Sequence, residues 1–560
     1  MMILKTIQKA LRKYDEVVFT QDFIRIDEEE LRILFVGKYF RFQNHESMID
    51  LTLFSKNITW QDNSSTTSPH MTLIHEFSRE IGHDGFELLI CPELYQIKIK
   101  SFNRRGFNYA IKLLSQMIMK QNDSFFIPVL KVKHTPSFSL RGVIEGFYGT
   151  PWTHEMRLDC IKWISHERMN TYMYAPKDDD YQRKLWREPY PSSELDRFQE
   201  LITLADTVQV DFWYMISPGN DINILNKEDL KELENKLQQL IDLGVTRFGL
   251  LMDDIDYTLS VPMRKKFSSN ADMHAYLINY VYDFLVEQIP QVELVACPTE
   301  YDNHMDSYYL MHLTKMVNQN VPFFWTGPST LARQISESNI KEMSQVYERE
   351  MIIWDNVPVN DFEADNELLF LSPYKNRSQA LGDKAYQVKG IVLNPMPQWE
   401  LSKFTVASSA QYMWQTSTFD AVRDFYDVYD LWTNEEEIKH SLDIFCSHFK
   451  NRHIEPVRWI DIELAIERGE TKVLGRLLEE LREVIEKIKT IENNQFQLEI
   501  SPWIERIKLE CELWNTLINE EDSRTKMIVA SLEEMTYRVG SNIPLTYYNT
   551  HFLNEIEIGN

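Results

Sequence analysis

Asp253 and Asp254, with Asp256 two residues on, stand at the end of the apolar run Arg247-Phe248-Gly249-Leu250-Leu251-Met252. Such a run reads as a buried parallel strand, and a carboxylate carried into a core is costly unless it is paired or hydrogen-bonded. A strand that delivers acids at its C-terminal end therefore marks a working centre. Two adjacent carboxylates do not both ionise cheaply, so one is expected to keep its proton near neutral pH while the other is the anion. That is an acid and a base in one dipeptide. It suits glycoside hydrolysis or, with Asp256, a site for a hard cation such as Mg²⁺ or Ca²⁺.

Retaining glycosidases that use an enzyme nucleophile set it and the acid about 5 Å apart, on opposite sides of the anomeric carbon. Chain neighbours project from nearly one place and do not easily flank a sugar. A substrate with its own nucleophile, such as a 2-acetamido group, removes the difficulty. One carboxylate then orients the amide and the other handles the glycosidic oxygen.

The elements that must position these acids follow a regular cadence. From Ser139 the chain repeats strand, polar loop and helix eight times, with strands read at Gly142–Glu145, Thr171–Tyr174, Asp211–Ile216, Phe248–Met252, Glu293–Ala296, Pro322–Trp325, Met351–Trp354 and Gly390–Leu393. Helical patterns such as Ser193–Val208, Lys227–Leu243 and Ala271–Gln288 separate them. This is the rhythm of a (β/α)₈ barrel, whose active site lies at the C-terminal ends of the strands. A doubly wound sheet is the alternative, but no G-x-G-x-x-G or Walker A sequence follows any strand.

The strand ends are rich in chemistry. They read Gly146-Phe147-Tyr148-Gly149-Thr150-Pro151-Trp152, then Ala175-Pro176-Lys177-Asp178-Asp179-Asp180, Cys297-Pro298-Thr299-Glu300-Tyr301, Thr326-Gly327-Pro328, Asp355-Asn356 with Asp361 close by, and Asn394-Pro395. Converging on one cup, a lysine, carboxylates, amides and aromatics suit a polyhydroxylated neutral ligand. Taken singly each has a plainer reading: Lys177 as a solvated loop residue, Trp354 as core, Tyr301 and Asn394 as caps. His154 reads as structuring the first barrel helix rather than reacting.

Residues 1–135 alternate short strands (Ile33–Val36, Met71–Ile74, Phe86–Ile90, Tyr95–Ile99) with one helix near Gly106–Met119, a small α+β domain. His75-Glu76 lacks the second histidine of H-E-x-x-H, since position 79 is Arg, and reads as a surface turn. The barrel is placed at 136–428 and a helical bundle at 429–560. The bundle's clearest stripe is Leu474, Leu477, Leu478, Leu481, Ile485, Ile488 and Ile491, and further helices are read at Trp503–Ile518, begun by Pro502, and near Lys526–Val539.

Composition narrows the partners. With 85 acidic and 59 basic residues among 560, the net charge of −26 disfavours nucleic acid and anionic membranes. Five scattered cysteines with no C-x-x-C pair read as reduced, mostly buried thiols rather than a disulfide or zinc framework. The N-terminus lacks an uninterrupted apolar h-region and nothing else reaches a membrane span, so a cytoplasmic location is expected, and sequons such as Asn63-Ser64-Ser65 then carry little meaning. No cofactor is implied.

The motifs Arg141-Gly-Val-Ile-Glu-Gly-Phe-Tyr-Gly-Thr-Pro-Trp152, Met169-Asn-Thr-Tyr-Met-Tyr-Ala-Pro-Lys-Asp-Asp179, Leu251-Met-Asp-Asp-Ile-Asp256, Cys297-Pro-Thr-Glu-Tyr301, Trp354-Asp-Asn356 and Asn394-Pro395 resemble those of the O-GlcNAcase family of β-N-acetylglucosaminidases, glycoside hydrolase family eighty-four. The resemblance runs in order through the whole barrel. The flanking parts also resemble the small α+β domain and the helical bundle of bacterial members. The resemblance implies that Asp253 orients the substrate acetamido N–H and that Asp254 is the general acid, then base, around an oxazoline intermediate. It implies that Tyr301 bonds the acetamido carbonyl and Trp354 walls its methyl. The backbone of Gly146, with Lys177, Asn356, Asp361 and Asn394, would grip the sugar hydroxyls. It further implies an exo-acting, retaining enzyme for terminal β-linked N-acetylglucosamine on a glycan or glycoprotein, without the acetyltransferase-like domain of animal relatives. Asp256 falls to a supporting role. A hyaluronidase-type endo-glycosidase and an inactive glycan-binding protein are the alternatives, and neither the natural aglycone nor the oligomeric state is legible.

Overall fold

A computed structural model describes residues 2–36, 57–61, 65–255, 258–303, 307–455 and 460–553; Asp256 and Asn63 lie outside the described residues. The chain divides into two compact units, Met1–Ser139 with Gln411–Phe419, and Leu140–Ala410 with Asp420–Asn560. Among the described residues no helix is long and apolar enough to cross a membrane.

The first unit is built on a mixed sheet. Its described strands run in the order Glu16–Ile26, Ser124–His134, Phe86–Cys91, Gln96–Ser101, Met71–Phe77, Leu31–Val36 and Ile58–Gln61, with Met119–Gln121 also paired to Ser124–His134. Leu31–Val36 and Phe86–Cys91 alternate buried and half-buried residues, the signature of a sheet with one packed face. The helix Arg104–Met117 begins where Asn103 accepts the Gly106 N–H at 2.9 Å, and its Phe107, Ile111 and Leu114 join the sheet's core. Trp414 completes that core from the returning segment, edge-on to Tyr109 at 5.0 Å between ring centroids.

Two readings are corrected here. His75 and Glu76 do not form a turn: the strand Met71–Phe77 continues through them, and His75 is buried with Nε2 2.9 Å from Ser101 Oγ. Burial also pushes its imidazole pKa down to about 4. The strands Glu16–Ile26 and Ser124–His134 escape sequence reading because their pairing shifts register between Phe19 and Phe23, and Pro128 faces Phe23 there. A bulge breaks the alternation, and a proline inside a strand argues against one.

The second unit contains a closed barrel of eight parallel strands: Leu140–Glu145, Thr171–Tyr174, Asp211–Ile216, Arg247–Leu251, Glu293–Cys297, Phe323–Trp325, Met351–Asp355 and Val388–Leu393, the last closing on the first. Nearly every residue of these strands is buried, since side chains fill the inside and helices cover the outside. Met173, Trp213, Met215, Leu251, Val295, Phe324, Ile352 and Val392 belong to the cluster that fills the interior.

The later helices share a core with the barrel's outer side. Leu369, Leu371, Leu401 and Phe404 pack with Phe445 of Glu436–Ser447, Leu478 and Ile485 of Thr471–Ile488, and Trp503 of Asn494–Ile518. Pro502 does not begin that last helix; Asn493 does, accepting the Phe496 N–H at 3.0 Å, and Pro502 sits inside. Buried Phe496 and Ile500 hold the turns before the proline and compensate for the hydrogen bond it removes.

Candidate active site

A cavity of about 380 Å³ opens at the C-terminal ends of the barrel strands. All nine predicted site residues line it: Gly146, Lys177, Asp253, Asp254, Tyr301, Trp354, Asn356, Asp361 and Asn394.

The two adjacent acids are separated by the backbone. The fourth strand stops at Leu251, Met252 N–H donates to the Cys297 carbonyl at 3.0 Å, and Asp254 takes a left-handed conformation with φ 51°. Aspartate tolerates this region better than most residues. Asp253 therefore points inward and is buried, whereas Asp254 stands exposed at the mouth.

Their partners differ accordingly. Asp253 Oδ2 accepts from the Lys177 ammonium; Asp253 Oδ1 is buried with no hydrogen-bond partner among the described residues. Such an acceptor is costly in a finished core and valuable in a site awaiting a donor. Asp254 instead accepts from two phenols, Tyr148 Oη at 2.8 Å and Tyr301 Oη at 3.0 Å. Burial pushes both phenol pKa values up; for Tyr301 the Asp254 charge and bond add to this, and for Tyr148 they outweigh a counter-pull from Lys177 together with burial. Both phenols stay protonated donors.

Lys177 is not the solvated residue its aspartate-rich loop suggests. It is buried, with its ammonium 5.4 Å from the Trp354 ring centroid and 5.7 Å from that of Tyr148. Burial pulls its pKa down, but the Asp253 charge overcomes this and leaves it above the ordinary lysine value. The ion pair is thus a charged, enclosed strut beneath the cavity.

The far side is an amide chain. Asn394 Oδ1 accepts from Gly146 N–H at 3.2 Å, Asn394 Nδ2 donates to Asn356 Oδ1 at 3.0 Å, and Asn356 Nδ2 donates to the Thr330 carbonyl at 2.8 Å. Gly146 must be glycine: a Cβ there would lie 2.4 Å from Trp354 Cζ2. Trp354, buried and edge-on to Phe324 at 5.3 Å, serves both core and cavity wall. Asp361 Oδ2 accepts from the Tyr148 N–H at 2.8 Å, and burial nonetheless raises its carboxyl pKa.

Two other acids at strand ends are withdrawn from chemistry by partners. Glu145 is held by Arg157 through two contacts of 2.8 Å and by Tyr172 Oη at 2.6 Å. Asp355 is held by Arg377 at 2.7 and 2.6 Å and by Tyr374 Oη at 2.7 Å. His154 opens the helix His154–His166 behind the Thr153 cap and meets Glu200 at 2.7 Å, as a structural residue does. Among the described residues no group of three or more His, Cys, Asp or Glu is set to hold a metal ion.

The cavity also takes in Tyr148, Cys297, Thr326, Thr330 and Phe362, which were not assigned from sequence. Tyr148, Cys297 and Thr326 lie in the strand-end stretches already singled out, and Phe362 adjoins Asp361. Thr330 lies beyond its strand end with no local signal.

A parallel barrel with an exposed acid held only by phenols at its mouth, set in a cup of amides and aromatics, has the build of a glycoside hydrolase. Comparison with known proteins carries this further: residues 141–447, more than half of the chain, match the beta-N-acetylglucosaminidase family, and the chain belongs to that family. Protein O-GlcNAcase of Mus musculus and that of Rattus norvegicus are each 36% identical over 290 residues, 51% of this chain. The match spans 31% of the length of these curated relatives. Among solved structures, CpGH84B superposes with a TM-score of 0.75 at 25% identity, covering 96% of this chain and 99% of that one. A mutant of the Thermobaculum terrenum O-GlcNAc hydrolase superposes at 0.67 and 26% identity, covering 76% of this chain and 96% of that one.

Proposed function

We propose that this chain is an exo-acting, retaining β-N-acetylglucosaminidase that removes terminal β-linked N-acetylglucosamine by substrate-assisted catalysis. The observation that carries the reading is the division of the acid pair: Asp253 presents a buried, unpartnered oxygen, and Asp254 stands at the mouth between two phenols. The names of the relatives, O-GlcNAcase and O-GlcNAc hydrolase, point the same way.

In this scheme the substrate's acetamido N–H donates to Asp253 Oδ1, which turns the acetamido carbonyl oxygen toward C1. That oxygen attacks C1 as the bond to the aglycone oxygen breaks, and Asp254 gives its proton to the leaving oxygen. Asp253 takes the amide proton as the ring closes, and a neutral oxazoline remains. Asp254 then takes a proton from the water that attacks C1, the ring opens as Asp253 returns the proton to the nitrogen, and two inversions leave the configuration retained. Tyr301 turns from Asp254 to the acetamido carbonyl, and Trp354 walls the methyl group. The backbone of Gly146, with Lys177, Asn356, Asp361 and Asn394, grips the hydroxyls. A cavity of about 380 Å³ suits one terminal sugar. The net charge of −26 works against a polyanion such as hyaluronan.

Fluorination tests the internal nucleophile. Aryl β-glycosides bearing mono-, di- and trifluoroacetamido groups should react progressively more slowly, with a steep dependence of log kcat/KM on fluorine number. A flat series would remove the oxazoline route.

A further inference from the structure

The segment that brings Asp361 and Phe362 to the cavity is held from behind by the C-terminal helices. Arg538 lies beyond the helix Asp522–Glu534. Its Nε donates to the Asn366 carbonyl at 3.0 Å, and its Nη2 donates to the carbonyls of Ala364, at 3.2 Å, and Asn366. Its own N–H donates to the Glu367 carbonyl at 3.0 Å, which also accepts from Trp503 Nε1 at 3.2 Å. Asp365 is fully buried, with Arg452 at 2.5 Å and His453 Nε2 at 2.7 Å from its carboxylate.

Residues 364–367 are therefore each held, by main chain or side chain, from the C-terminal helical part. The one-turn helix Glu363–Asp365, closed by Asp365 N–H on the Phe362 carbonyl at 2.7 Å, joins this anchorage to the cavity. At the cavity end Asp361 grips the Tyr148 N–H. An irregular segment has no ladder to satisfy its carbonyls, so external donors fix its path, and a guanidinium fork can serve two carbonyls at once.

We propose that Arg538, together with Trp503 and the Arg452–Asp365–His453 cluster, positions Asp361 and Phe362 against the sugar, so that the C-terminal helices form part of the substrate site. The proposal rests on the β-N-acetylglucosaminidase reading. Arg538 touches no substrate; it acts through the loop.

Steady-state kinetics of the full chain on an aryl β-N-acetylglucosaminide provide the test. Arg538→Ala should raise KM about five- to tenfold with kcat within about twofold, because the loop's grip is made equally in ground and transition states. Arg538→Lys should recover part of the loss. Asp361→Ala should raise KM by itself, and adding Arg538→Ala should then cost less than it does in the wild type, since Asp361 is one of the two residues the arginine positions. An unchanged KM in Arg538→Ala, or full additivity with Asp361→Ala, overturns the proposal. If Arg538→Ala does not fold, Asp365→Asn enters the same cycle with the same expectations. Hydrogen exchange separates this failure from that of the activity itself. Amides 361–368 should exchange at least tenfold faster in Arg538→Ala whether or not the wild type turns over the glycoside, and unaltered exchange defeats the clamp alone.

Discussion

The two walls of the cavity are built on opposite plans. Asp253, Lys177 and Tyr301 stand a few residues past barrel strands, so the sheet fixes their backbone, and a buried ion pair braces them from below. Asp361 and Phe362 sit on an irregular segment beyond the seventh strand, braced by Arg452, Trp503 and Arg538 from far along the chain. In the proposed mechanism the difference separates two jobs. Bond breaking needs acids placed within tenths of an ångström, and strand ends supply that locally. Gripping hydroxyls tolerates a borrowed scaffold.

Breaking the first wall at its exposed acid should have the largest effect. Asp254→Asn should lower kcat on an aryl β-N-acetylglucosaminide by about 10²–10⁴-fold, the range for a positioned general acid and base. An unchanged rate would sink the assignment of Asp254.

Next comes the strut. Lys177→Met leaves Asp253 buried without its counter-charge, and loss of one partner of a buried pair costs about 3–5 kcal/mol. Urea unfolding of the full chain should show that loss alongside reduced turnover. Stability equal to the wild type would mean that the first wall does not lean on this pair.

The second wall should give the smallest effect, and one of mixed sign. Asp361→Asn keeps an acceptor for the Tyr148 N–H but loses the charge, so KM should rise while kcat stays nearly constant. Burial, partly offset by the Tyr148 N–H, raises the Asp361 carboxyl above its reference value of 3.8. A carboxyl raised in the folded state contributes stability that is fully present below the unfolded pKa and is lost as pH rises through the folded one. At neutral pH ionised Asp361 is therefore a cost, and Asp361→Asn should raise Tm at pH 7. The gain should vanish below about pH 4. A lower Tm at pH 7 would contradict this account.

The two plans also explain what could be read in advance. Strands buried on both faces appear as continuous apolar runs, so Thr171–Tyr174 and Asp211–Ile216 match the reading at both ends. Residues just past such strands follow by counting, and Lys177, Asp254, Asn356 and Asn394 all reach the cavity. Phe362 and Thr330 were missed because their position depends on the path of an irregular segment. Lys177 looked solvated because its neighbours in sequence are acids; its partner in space is Asp253, two strands along the barrel. In the first unit the bulged pair Glu16–Ile26 and Ser124–His134 lost its alternation, and with it the only local signal of a half-buried strand.

By itself the sequence determined the eight-strand cadence, the cup of acids, amides and aromatics at one barrel face, and the candidacy of Asp253 and Asp254. These follow from local periodicity and from the rule that strand ends share one face. Only the tertiary structure decided how the adjacent acids differ. The left-handed turn at Asp254 points one to an ammonium and the other to two phenols, and both sets of partners lie past the ends of other strands. It also decided that Arg538 stands behind the loop of Asp361, since no periodicity encodes a hydrogen bond between segments so far apart.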